Sequence, residues 1–371
     1  MFSACANILK RLAKSAICAF SELQMDSYLV DYLKSGKAWL LVGSGPSTAM
    51  GYPSWRTLAG LAVSLVKLEA IGRDPAAIEA AFRAGRNEDV FGLAAGLVGM
   101  PRLLQHLRDN FRPDPADGAY ASIYEHIARW PIAVYMTTNY DHEIARHLAH
   151  AGETSYIEYS NSEDALSVLL PDISGAVVHL HGDLSTESGL VLTSSQYREI
   201  LSGPQWQYWR TKMTSIFQMN RVIVVGHSLY DPHVVHVLEA AKKGAGVIQP
   251  VCWIAPDVAW EATREYLERY RIRVVSYDNR DRSHSNLVRL VETLSDFVPS
   301  RVSVHVSQAV AQVVDSPLGA NAAAPGFFVF TRLSQQTDFE VKQTEVMVGA
   351  LRAVLPKLHG GPHFLSSRRS S

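Results

Sequence analysis

The chain has 371 residues, 47% of them hydrophobic and 19% charged: enough apolar material for one large or two moderate domains, and too little charge for general disorder. Lysine plus arginine (35) nearly balances aspartate plus glutamate (36), so no basic excess advertises nucleic acid. Three cysteines, Cys5, Cys18 and Cys252, lie far apart and form no CxxC pair, which argues against a disulfide framework or structural zinc and suits a reducing cytoplasm.

Residues 1–25 carry Lys10, Arg11 and Lys14 with no acid before Glu22. They read as a helical extension or an upstream start, with the fold beginning near Met25-Asp26; a transit peptide shares the composition. No apolar run reaches the roughly 20 residues that span a bilayer, so no membrane contact is expected. Short apolar runs bounded by glycine or polar residues predict buried parallel strands at Ala38–Gly43, Ile132–Thr137, Ala176–His181, Arg221–Gly226, Gln249–Ile254 and Arg273–Tyr277. Helical patterns at Trp55–Glu69, Asp141–Ala151 and Pro256–Tyr270 fall between them. The alternation predicts an α/β fold, a Rossmann-like doubly wound parallel sheet over residues 26–300.

Two intervals exceed a simple crossover. Residues from about 70 to 130 predict an inserted helical subdomain, and residues 184–220, with Tyr197, Trp206, Tyr208 and Trp209, predict helices or a lid. Aromatic clusters of that kind serve core packing or, less commonly, stack on a base or nicotinamide ring. Residues 301–359 predict a strand–helix extension, with Gly326–Thr331 as strand and a helix bearing Met347, Leu351, Val354 and Leu358 at helical spacing. The tail from 360 to 371 is expected to be disordered.

Chemistry-bearing residues collect at strand ends, where open α/β sheets bind ligands. The first strand runs into Gly43-Ser44-Gly45-Pro46-Ser47 and then Gly51-Tyr52-Pro53. Such glycines let backbone approach a pyrophosphate, or simply make a strand-to-helix turn; neither a G-x-G-x-x-G nor a G-K-[ST] fingerprint is present. The second strand ends in Thr137-Thr138-Asn139-Tyr140-Asp141, where an amide beside a carboxylate can hold a ribose hydroxyl or a water. Asp141 can equally cap the helix that follows. The third ends in His179-Leu180-His181-Gly182-Asp183; imidazole suits proton transfer near neutral pH, and a regular strand would put His179 on the face of His181. The fourth ends in Gly226-His227-Ser228-Leu229-Tyr230-Asp231, offering Ser228 to a phosphate or ribose and Asp231 as a helix cap.

In this order and at these strand ends, the motifs resemble the sirtuin superfamily over residues 35–295, and most of all the sirtuin-like NAD hydrolases of bacterial anti-phage defence. The resemblance implies a domain that binds NAD as substrate. Gly43, Ser44 and Gly45 would surround the phosphates, with Thr138, Gly226 and Ser228 completing the binding set. It implies that Asn139 and Asp141 serve the nicotinamide ribose and that His181 is the catalytic base.

Three departures bear on the reaction. Ser44 stands where the family's glycine motif usually has alanine, and Ser54-Trp55-Arg56 stands where deacylating sirtuins carry Asp-Phe-Arg. Residues 183–251 contain no cysteine, so the zinc ribbon of those enzymes is not expected, and no metal is expected. The expected activity is hydrolysis of NAD to nicotinamide and ADP-ribose by a regulated, cytoplasmic effector. A protein deacylase, an ADP-ribosyltransferase or a non-catalytic nucleotide sensor are the alternatives. A homo-oligomer is expected, under control of a co-encoded partner such as an ATPase or of a phage-derived trigger.

Overall fold

β1 (Ala38–Val42) occupies the centre of a seven-stranded sheet in the computed structural model, which describes residues 26–70, 74–113, 121–153, 156–162, 174–185, 189–229, 231–243, 249–280 and 284–298. The expectations for residues 1–25, for the strand and helix beyond 300 and for the tail lie outside the described residues. The other strands are β2 (Ile132–Thr137), β3 (Ile157–Tyr159), β4 (Ala176–His179), β5 (Arg221–Val225), β6 (Val251–Pro256) and β7 (Ile272–Tyr277). Their order is β3-β4-β2-β1-β5-β6-β7, and every pairing is parallel. The doubly wound α/β sheet read from the sequence is the fold.

Alternation along each central strand feeds two cores. Trp39, Leu41, Val222 and Val224 face one layer, and Leu40, Val42, Ile223 and Val225 face the other. Period-two side chains with both faces buried require a continuous apolar run, which is why these strands were conspicuous in the sequence. Each such side chain, 1% exposed or less, contributes about 1.5–3 kcal/mol through burial. The first layer is closed by α9 (Ser194–Ser202), α10 (Gln207–Met219), α11 (Pro232–Lys243) and α12 (Trp260–Tyr270). The second is closed by α1 (Ser27–Lys34), α7 (Ala121–Arg129), α8 (Glu143–His150) and α13 (Ser285–Phe297).

Between β1 and β2 lie α2 (Ser44–Ala49), α3 (Trp55–Glu69), α4 (Ala76–Arg83), α5 (Asn87–Val98) and α6 (Met100–Asn110). Helices α3 to α6 share a third core, built on Leu58, Ala62, Ile78, Phe91, Leu103 and Leu107. Tyr140, Leu184, Leu190 and Leu192, from loops that follow β2 and β4, complete that core. The helical layer therefore sits over the carboxyl ends of two strands, while α7 packs on the sheet.

The chain leaves β1 towards β2, works out to the β3 edge, and returns to β5 on the other side of β1. Loops diverge at such a switch point and open a crevice between the strand ends. Here the two turns touch backbone to backbone. The Gly43 amide donates to Val225 O at 2.9 Å and the Gly45 amide to Gly226 O at 2.9 Å. A Cβ on Gly43 would lie 2.5 Å from Gly226 O, and one on Gly226, whose φ is +66°, would lie 2.2 Å from Pro46 Cδ. Glycine is needed at both places by the packing of the two turns alone.

Candidate active site

A cavity of about 340 Å³ opens at this switch point, under the helical layer. Six of the nine residues that the resemblance assigns to catalysis or NAD binding line it: Ser44, Thr138, Asn139, Asp141, His181 and Ser228. Gly43, Gly45 and Gly226 are not among its lining residues; they form the turn-to-turn contact behind it. Trp55, Phe111 and Tyr140 supply an aromatic wall, with Trp55 against Phe91 at 4.8 Å between ring centroids. Arg56 turns away: its Nη1 donates to Phe82 O at 3.2 Å and its guanidinium lies over the Phe82 ring.

Asn139 is 7% exposed and rigidly held. Its amide N–H donates to Thr137 Oγ1 at 3.0 Å, and Thr137 Oγ1 donates in turn to Val42 O at 2.9 Å. Its side-chain Nδ2 donates to Gly43 O and to Ser47 Oγ, both at 2.9 Å. A carbonyl only accepts, so the orientation of the amide group is fixed by chemistry. Both Nδ2 protons are spent, and Oδ1 is what Asn139 offers to the cavity.

Ser47 Oγ donates to Asp141 Oδ2 at 2.7 Å, so the Tyr124 hydroxyl at 2.7 Å must donate to Ser47. Asp141 Oδ1 accepts the Glu143 amide, the first of α8, at 3.1 Å; the N-cap position itself is His142, so Asp141 holds the helix start from one residue further out than a cap would. Burial pushes the Asp141 carboxyl up, against the Ser47 hydrogen bond that favours its charge. Ser47 closes the glycine motif but carried no role in the sequence, and Tyr124 had no distinguishing signal: each is an ordinary hydroxyl until the fold brings residues 47, 124, 139 and 141 together.

His181 lies across the cavity and is 3% exposed. Its Nε2 is 3.7 Å from Asp231 Oδ2 and 3.3 Å from His233 Nδ1, and the His181 and His233 rings stack at 5.5 Å. Asp231 Oδ1 accepts the His233 amide at 2.9 Å, capping α11, while Oδ2 accepts the Tyr197 hydroxyl at 3.1 Å. The cap foreseen for Asp231 thus also faces the imidazole. Burial lowers the His181 pKa, and the Asp231 carboxylate partly opposes that. Burial likewise pushes His227 down to about 4 and His233 down to about 3. Trp209 stacks on His233 at 4.1 Å, and His233 Nε2 is buried without a partner among the described residues. His181, Asp231 and His233 also present possible ligand atoms within 4.8 Å of one another, the only such set at this cavity among the described residues.

His179 does not join His181. β4 stops at His179, so strand alternation no longer governs the next residues. Its Nδ1 meets Asn139 O at 3.1 Å and its Nε2 meets Glu158 Oε1 at 2.6 Å, on the side of the edge strand.

Residues 133–275 match the family model described as the SIR2-like domain. Over that stretch the chain is similar to a SIR2-like domain. The match runs from β2 to β7 and takes in Asn139, His181 and Asp231 together. Among characterised relatives, a protein named NAD(+) hydrolase ThsA from Cytobacillus dafuensis is 26% identical over 213 residues, which is 57% of this chain and 39% of that protein. Proteins of the same name from Enterococcus faecium and Acinetobacter baumannii (strain 532279) are 24% and 25% identical, over 56% and 58% of this chain and 40% and 41% of their own lengths. The alignment with this chain thus spans about two-fifths of each relative's length.

Proposed function

We propose that this SIR2-like domain hydrolyses NAD at the bond between nicotinamide and ribose. The observation that carries the reading is the convergence of Asn139 Oδ1 and His181, from the ends of two parallel strands, on one half-enclosed cavity with an aromatic wall. The motif resemblance and the printed names of the relatives support NAD as the substrate.

Nicotinamide leaves as a neutral ring, so the site has to hold the ribose, tolerate positive charge at the anomeric carbon, and deliver water. Asn139 Oδ1 accepts a hydrogen bond from a ribose hydroxyl or from the attacking water, and its fixed amide costs no reorganisation. His181, kept neutral by burial, takes the proton that water loses as its oxygen bonds to the anomeric carbon. The glycosidic C–N electrons leave with nicotinamide, and the products are nicotinamide, ADP-ribose and a proton. Asp231 steadies the imidazolium that forms, and Asp141 acts through Ser47 to hold Asn139. Ser44, Thr138 and Ser228 are assigned to the rest of the nucleotide, with Gly43, Gly45 and Gly226 shaping the turns behind them. By the same resemblance we infer a role in anti-phage defence through NAD depletion, in a homo-oligomer under the control of a partner or trigger.

Incubation of purified protein with NAD, with chromatographic separation of nicotinamide and ADP-ribose, tests the assignment. Equimolar release of both supports it. Intact NAD in the presence of protein that binds a non-hydrolysable NAD analogue rejects it.

A further inference from the structure

Outside the cavity, His142, Glu158 and His179 bring one possible ligand atom each within 4.8 Å of one another. Glu158 comes from the edge strand β3, His179 from the end of β4, and His142 from the residue before α8. Glu158 Oε1 sits between the two imidazoles, 2.8 Å from His142 Nδ1 and 2.6 Å from His179 Nε2.

The hydrogen bonding of His179 makes this arrangement informative. Its Nδ1 faces Asn139 O, a pure acceptor, and therefore carries a proton. In the neutral ring that leaves Nε2 with a lone pair, aimed at a carboxylate oxygen. That places a ring nitrogen and a carboxylate oxygen, both possible ligand atoms, 2.6 Å apart with His142 Nδ1 beside them. An imidazole whose other nitrogen donates to a backbone carbonyl is the usual environment of a metal-bound histidine, because that bond fixes tautomer and ring orientation.

We propose that His142, Glu158 and His179 form a binding site for a divalent transition-metal ion of the zinc class. Two imidazoles and a carboxylate match that class in ligand type, and water supplies a fourth position. Zinc–ligand bonds of about 2.0–2.2 Å in a tetrahedron hold ligand atoms about 3.3 Å apart, so Glu158 must draw back by roughly half an ångström from each ring. It is free to do so: its side chain is 31% exposed on a three-residue edge strand, and that of His142 is 50% exposed. The same exposure gives an ion a way in. Bound metal would tie β3 and β4 to the start of α8 and to the backbone of Asn139.

The test uses the full chain without an affinity tag, stripped with a chelator and titrated with Co²⁺ by absorbance and with Zn²⁺ in competition with a chromophoric chelator. The expected result is one tight equivalent in the native protein, bound at least tenfold more weakly by His142→Ala and by Glu158→Gln. Zn²⁺ should also raise the thermal midpoint of the native protein and not that of the two variants. Asp231→Asn, in the other histidine cluster, should keep native affinity. Absence of a tight equivalent, unchanged affinity in the two variants, or loss in Asp231→Asn instead would overturn the proposal. Metal affinity is read without turnover, so this result is independent of the hydrolase assignment.

Discussion

Ser47 Oγ lies 2.9 Å from Asn139 Nδ2, joining the helix after β1 to the end of β2 across 92 residues of chain. Through that one hydroxyl, Asp141 and Tyr124 also act on Asn139. Ser47→Ala leaves Nδ2 and a buried carboxylate each short of a partner, a loss of about 1–3 kcal/mol. NAD turnover is expected to fall roughly 5- to 150-fold, mainly in kcat, since the carbonyl presented to the ribose loses its anchor while most nucleotide contacts remain. Steady-state kinetics on folded variant, checked by circular dichroism, measure it; a change confined to KM would mean that Ser47 contacts nucleotide instead.

The proposed NAD hydrolysis should be lost in acid through His181. A base works in its neutral form, and burial lowers its pKa. The profile of kcat/KM against pH is therefore expected to be flat at neutral pH and to fall only below the ordinary imidazole value of about 6.5. Asp231 raises the pKa of His181, so Asp231→Asn should move that acid limb to still lower pH as well as reduce the rate. A limb that stays in place in Asp231→Asn would remove the carboxylate from the site's electrostatics.

Stability has its own pH dependence. His227 and His233, at about 4 and about 3 in the fold, take up protons on unfolding at any pH between those values and about 6.5. The unfolded state then binds more protons, so stability is complete above about 6.5 and is lost as pH falls, at up to about 1.4 kcal/mol per pH unit for each group. His233→Phe keeps a ring against Trp209 and removes one titrating group, so urea denaturation at pH 5 and 7.5 should show a smaller difference than in the native protein.

Much of this molecule was legible in its sequence, for reasons visible in particular residues. β2 and α3 fall where their patterns put them, and β1 and β5 end one residue earlier, because strands buried on both faces cannot hide their apolar runs. β3 was missed: it has three residues, Ile157 and Glu158 among them exposed, and its place comes from pairing with β4. α12 starts at Trp260, later than the pattern from Pro256 implied, since β6 extends to Pro256 itself. Asn139, Asp141 and His181 were singled out through motif order, and all three line one cavity. The part played by Ser47, named only as the end of the glycine motif, and by Tyr124 was not legible, because it depends on contacts 92 and 15 residues from Asn139, and local pattern carries no trace of those.

The contact between the two turns sets a steric limit. Gly226→Ala places a Cβ 2.2 Å from Pro46 Cδ in a left-handed backbone conformation. Left-handed strain of about 1–2 kcal/mol adds to overpacking of about 1–3 kcal/mol, so a loss of at least about 2 kcal/mol in denaturant unfolding is expected. A variant as stable as the native protein would show that the turns have room to part.

The central claim is that Asn139 and His181 act on one substrate in one cavity. The most direct measurement is the rate of nicotinamide release from NAD by Asn139→Ala and His181→Ala, each shown to be folded, beside the native protein under the same activating conditions. Loss of at least about 10²-fold in each is expected, the scale of a positioned base. Near-native release by either folded variant would contradict the account.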